Sequence, residues 1–169
     1  MIRELFGKTP IISDSAWVSE AAYIVGGVEV SEGASVWPGA TIRADTAMVY
    51  IGRNVSIQDN AVIHNGEFDL IIGEGTVIGH ASVRHCKKIG SRVYIGNNST
   101  ILDEVEINDE AYIHSGTVVP PSMMIPEKTE YAGVPAKEIG KVTPELSEIL
   151  NATILESQKL SKKYKKAGL

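Results

Sequence analysis

Aliphatic residues recur at every sixth position along most of this chain, and few folds accept that spacing. The first run is Ile12, Val18, Ile24, Val30, Val36 and Ile42; it continues through Ile51, Ile57 and Ile63, then Ile72 and Ile78, and resumes at Ile89, Ile95, Ile101, Ile107, Ile113, Val119 and Ile125. A period of six suits neither an amphipathic helix nor a simple alternating strand. Small residues often sit four places after these aliphatics, as Ala22, Ala40, Ala61, Ser82, Ser99 and Thr117 do, and glycine often follows them directly, as at Gly52, Gly73, Gly79, Gly90 and Gly96. The pattern predicts an all-β solenoid, a parallel β-helix in which each hexad is one side of a coil and the aliphatic guide residue fills the interior.

Three hexads close a coil, so coils begin near Ile12, Val30, Ile51, Ile72, Ile89 and Ile107 and rise by ~4.8 Å each. The period slips in three places. Extra residues lie around Ala47-Met48-Val49 and around Asn65-Gly66-Glu67-Phe68-Asp69-Leu70, and the hexad headed by Arg84 is one residue short. Both insertions follow a third-side hexad, and loops on solenoids cluster on the binding side. Arg84 occupies a guide position, and the neighbouring deletion is expected to turn its side chain outward.

Three of the four histidines fall at fixed offsets in this frame. Directly after the third-side guide the column runs Val25, Arg43, His64, His85, Leu102, Pro120, which stacks His64 and His85 on adjacent coils about 5 Å apart at the backbone. Neutral imidazole is the commonest protein ligand for a borderline metal such as zinc, and this spacing lets both rings reach one ion. Two places after the second-side guide the column runs Glu20, Pro38, Asp59, His80, Asn97, Ser115. His80 therefore projects from another side, and the nearly extended chain between puts it up to ~17 Å from His85. A ligand donated by a symmetry-related chain removes the mismatch. Three sites at the boundaries of a cyclic homotrimer are the simplest closed arrangement.

Composition narrows the partners. A net charge of -5 over 169 residues disfavours nucleic acid and anionic membranes, and no apolar stretch is long enough to span a bilayer. The start, Met1 to Gly7, lacks the apolar run of a signal peptide, and a single cysteine excludes an internal disulfide. A cytoplasmic protein of one domain is expected.

The string Ile57-Gln58-Asp59-Asn60-Ala61-Val62-Ile63-His64, followed by Ile78-Gly79-His80 and His85 and preceded by Ile42-Arg43-Ala44-Asp45, resembles the gamma-class carbonic anhydrases. The likeness covers nearly the whole chain. It implies a left-handed β-helix, an exception to the right-handed crossover rule, assembled as a homotrimer with a metal at each interface. On that pattern His64 and His85 are ligands from one chain and His80 is the ligand from its neighbour. Arg43 and Asp45 match an arginine and an aspartate that the family uses in ion pairs at the trimer contact, Gln58 a glutamine that hydrogen-bonds the metal-bound solvent, and Asp59 a neighbouring polar support. Glu67 lies where the archetype carries an acidic proton shuttle, on a much shorter loop, and Thr46 stands where the archetype has a second acid. The implied cofactor is Zn, with Fe(II) or Co able to use the same ligands. On that pattern His64, His80 and His85 would hold the cation with a fourth position open to water, the cation would supply the Lewis acidity for hydrating CO2 to bicarbonate, and Gln58 would orient the attacking group while Glu67 carried the proton.

Two other functions remain compatible with the residues: a hexapeptide-repeat acyltransferase using coenzyme A, which has no need of three clustered histidines, and a catalytically silent metal-binding trimer. His114 reads as a solvated or hydrogen-bonded side chain and Cys86 as a small packed one. The repeats should occupy about residues 11–130. Tyr131-Ala132-Gly133-Val134-Pro135 begins a connecting segment over 131–142 that resembles the closing segment of hexapeptide proteins in general. Thr143-Pro144 is a cap and first-turn pair, and Leu146, Ile149, Leu150, Ile154 and Leu160 follow at helical spacing, which predicts a C-terminal helix over 143–164 with a frayed basic end.

Overall fold

The computed structural model describes residues 1–169. The chain winds into a left-handed parallel β-helix of about seven turns, followed by one helix. Guide residues stack in register from coil to coil. Ile12 pairs with Val30, Val30 with Ile51, Ile51 with Ile72, Ile72 with Ile89, Ile89 with Ile107, and Ile107 with Ile125. The second side forms its own sheet, and the third and first sides are joined into a larger one by two long strands, Tyr23–Val30 and Thr41–Ile51. Almost every guide is buried in one continuous core. Burying an isoleucine contributes roughly 1.5–3 kcal/mol, so the column of guides, rather than strands only two or three residues long, holds the solenoid together.

Corners between strands use left-handed residues at fixed places in the repeat. Asn60, Ala81 and Asn98 occupy equivalent turns with φ of 59°, 52° and 55°. Asparagine tolerates that region, whereas alanine there costs roughly 1–2 kcal/mol. Ala81→Gly is therefore expected to raise stability by about 1 kcal/mol in chemical denaturation; an unchanged or lower midpoint would show that the turn carries no such strain.

The structure departs from the sequence reading in four places. Ile2–Arg3 forms a strand parallel to Tyr23–Val30, so the sheet starts before residue 11. The segment expected only to connect is partly a hairpin, Thr129–Ala132 against Lys137–Lys141, which caps the last coil. The helix runs Pro144–Ala167, beyond the expected end. Its basic end is anchored: Tyr164 packs on Trp17 and Trp37 at ring distances of 5.2 and 5.6 Å, Lys165 Nζ donates to the Ala16 carbonyl at 2.9 Å, and Gly168 closes the helix in the left-handed region. Thr143 caps the other end, its hydroxyl accepting from Leu146 N–H. The helix runs back along the second side, with Leu150 and Ile154 on Val77.

The fourth departure is Arg84. It stays in register between Ile63 and Ile101, points into the core and is fully buried. The missing residue falls in the corner after the strand Val83–Arg84, leaving the guide register intact. Nη2 donates to Ser82 Oγ at 3.0 Å, while Nε and Nη1 have no protein partner. Burial pushes the guanidinium down to about 10 and the neighbouring Cys86 thiol up to about 11, each group's charge partly countering the other's shift. Cys86 is packed in the core, as read from the sequence.

Candidate metal centre

The third-side sheet pairs Arg43 with His64, and the pairing of Ile63 with Arg84 carries the column on to His85. The two imidazoles lie side by side, centroids 4.8 Å apart and planes tilted by 41°. His80 stands on the second side. Its peptide N–H donates to Asn97 Oδ1 at 3.0 Å, and its Nδ1 lies 3.1 Å from Asp59 Oδ2. No three His, Cys, Asp or Glu side chains of one chain converge as a cation cage.

The two insertions flank the histidine pair and are latched to each other, although the first, around Ala47-Met48-Val49, is not a loop but part of the long strand Thr41–Ile51. Thr46 Oγ1 donates to the Gly66 carbonyl at 3.0 Å, Met48 N–H to Asp69 Oδ1 at 2.8 Å, and the buried Asn65 amide to the carbonyls of Met48 and Phe68. Glu67 is thereby held in a cleft of about 240 Å³ with His85, Lys87 and Asp103. Gln58, Asp59 and His80 line a second groove of about 270 Å³, whose other wall is the C-terminal helix at Thr153, Glu156 and Leu160. The structure thus divides the eight predicted residues into two groups: Arg43, Asp45, His64, Glu67 and His85 on one face, and Gln58, Asp59 and His80 on another.

Arg43 pairs with Asp45 of the same chain, and Asp45 Oδ2 also lies 3.4 Å from His64 Nε2. Burial, with Arg43 and His85 as like-charged neighbours, holds His64 below the usual imidazole value of 6.5; Asp45 opposes this. The shift favours the neutral form needed for ligation, and its contribution to stability is full above pH 6.5 and lost as pH falls through the folded-state value. Arg43→Gln removes one of the repulsive neighbours and frees Asp45, so His64 should titrate at higher pH in NMR of the metal-free chain. A downward shift would contradict this electrostatic assignment.

Asp103 and Glu156 were missed in the sequence. Asp103 contacts His85 Nδ1 from the next coil up, an arrangement foreshadowed by Asp59, which sits one coil from His80. Glu156 carried no signal, because helical spacing fixes which face packs but not which sheet column it meets. His114 is bonded to Glu130, as a hydrogen-bonded histidine should be.

A triangular solenoid of stacked guides with one closing helix defines a hexapeptide-repeat protein. Residues 87–121 match the family model described as bacterial transferase hexapeptide (six repeats). A Bacillus cereus protein whose crystal structure bears an acetyltransferase label superposes with a TM-score of 0.94 at 31% identity, over 99% of this chain and 98% of that one. A hexapeptide transferase family protein from Anaplasma phagocytophilum superposes with a TM-score of 0.92 at 27% identity, over 97% and 98% of the two chains. Among curated proteins, a carbonic anhydrase of Geobacillus kaustophilus is 36% identical over 99% of this chain and 89% of its own length. Mitochondrial gamma carbonic anhydrase 1 of Arabidopsis thaliana is 31% identical over 85% of this chain, which spans about half (55%) of that relative's length. The chain belongs to the gamma carbonic anhydrase family. No helix is long and apolar enough to cross a membrane.

Proposed function

We propose that the chain works as a cyclic homotrimer that holds one cation, Zn or else Fe(II) or Co, at each subunit boundary and hydrates CO2 to bicarbonate there. The observation that carries this reading is the pair of imidazoles 4.8 Å apart on adjacent coils, with a third histidine on a different side. Two half-sites on separate faces are what a shared site between copies requires. Val62 and Val83, both more than a third exposed, lie two residues before His64 and His85 and offer an apolar seam for the neighbour. The donor set suits the cation: His64 favours its neutral form, and His80 and His85 each turn Nδ1 to a carboxylate and leave Nε2 free.

His64 and His85 of one protomer and His80 of its neighbour would hold the cation. When bound, it supplies Lewis acidity that makes water a nucleophile near neutral pH. Gln58, beside His80, orients the reacting water through its side-chain amide. Glu67, in the cleft with His85, accepts the released proton and passes it to solvent. Asp59 fixes the His80 ring. The Arg43–Asp45 pair sits at the lip of the half-site, where the neighbour approaches, and there completes the family's interface ion pairs.

Elemental analysis of anaerobically purified protein should find about one metal per chain, and stopped-flow assays should find CO2 hydration that chelation abolishes. Fully metal-loaded protein with no hydration above background would end the catalytic reading. Acyl transfer from coenzyme A is a second reading, favoured by the transferase names of the two structural relatives. It requires tight acetyl-CoA binding by the metal-free chain.

A further inference from the structure

We propose that Asp103 is a positioning residue that fixes which nitrogen of His85 is offered to the cation. The inference rests on the metal-site reading above and adds a residue to it. A neutral imidazole has one N–H and one lone pair, and the group facing one nitrogen decides which nitrogen bears which. Asp103 Oδ1 contacts Nδ1 of His85 from the adjacent coil, so the N–H sits on Nδ1 and the Nε2 lone pair is free.

His80 is built alike. Its Nδ1 faces Asp59 Oδ2 at 3.1 Å, again from an adjacent coil. One carboxylate therefore backs a ligand on each of the two faces that meet at a subunit boundary. His64 differs, because its Nε2 lies 3.4 Å from Asp45, which Arg43 also engages.

The inserted loop passes close to another edge of the His85 ring: a Cβ added at Gly66 would lie 3.6 Å from Cε1, so glycine leaves that edge open to the cleft. Asp103 is then the side chain that engages the ring from its own chain. Asp103 is itself 62% exposed by side chain, and an exposed ion pair contributes roughly 0–1 kcal/mol to stability. Its consequence is the tautomer and the ring orientation rather than the fold.

The test uses the full-length chain and the variants Asp103→Ala and Asp103→Asn. Long-range 15N–1H spectra of the metal-free protein at alkaline pH should find His85 as the Nδ1–H tautomer in the parent and in Asp103→Asn, whose side-chain oxygen still accepts, and chiefly as Nε2–H in Asp103→Ala. Cobalt affinity, measured by chelator competition and followed through the visible cobalt spectrum, should fall about 10- to 100-fold in Asp103→Ala and partly recover in Asp103→Asn. A parent His85 in the Nε2–H form, or cobalt bound by Asp103→Ala as tightly as by the parent, would overturn the proposal. A parent chain that binds no cobalt would instead overturn the metal-site reading, and the tautomer measurement would still decide the role of Asp103.

Discussion

His80→Ala is expected to lower metal affinity by at least about 100-fold and to remove CO2 hydration with it, because a ligand lost outright should cost no less than the 10- to 100-fold typical of a group behind a ligand. The protomer should fold normally. His80 is half-exposed in a turn, its side chain touches Asp59, and its hydrogen bond to Asn97 comes from its backbone. The His64–His85 pair stays intact in this variant, yet two imidazoles cannot exclude competing water ligands as three do. Chelator competition and stopped-flow hydration on the same preparation check both halves. Retention of parental affinity would mean that His64 and His85 find their third ligand within their own chain.

Arg84→Ile should stabilise the protein by roughly 1–4 kcal/mol, the range found when buried charges give way to packed hydrophobic groups. The guanidinium is fully buried with a single hydrogen bond, and burial pushes it down to about 10, so its charge is held there at a cost. Isoleucine already fills this place on the coils above and below, as Ile63 and Ile101. Ser82 loses only one contact, because its hydroxyl still donates to the Gly79 carbonyl at 2.5 Å. A chain of this size should gain about 2–4 °C in melting temperature for each kcal/mol. A lower melting temperature would show that Nε and Nη1 are satisfied inside the solenoid by groups other than protein atoms.

The solenoid was legible because its signal is strictly periodic. A six-residue guide repeat fixes register, register fixes columns, and the columns alone place His64 beside His85 and His80 on another side. Where the period broke, the sequence was ambiguous. The deletion near Arg84 could fall in the strand or in the corner, and only the pairing with Ile63 and Ile101 puts it in the corner and keeps the guanidinium inside. The strand Ile2–Arg3 precedes the regular hexads in sequence, yet Ile2 pairs with the guide Ile24 at the foot of the third-side column. The end of the helix was misread because Lys162 to Lys166 resemble a solvated tail, whereas contacts over 140 residues distant in sequence, to Ala16 and Trp17, hold that turn. Asp103 was within reach of the column logic that found Asp59; Glu156 was not.

Sharing of each site between two chains is tested most directly by mixing defects. His64→Ala and His80→Ala chains, each inactive alone, would be denatured together, refolded as mixed trimers and assayed for bound metal and CO2 hydration. In every mixed ring one boundary joins an intact His64–His85 pair to an intact His80, so about a quarter of the sites should return at equal input. Mixtures that stay as inactive and metal-free as the separate variants would contradict a site built from two chains.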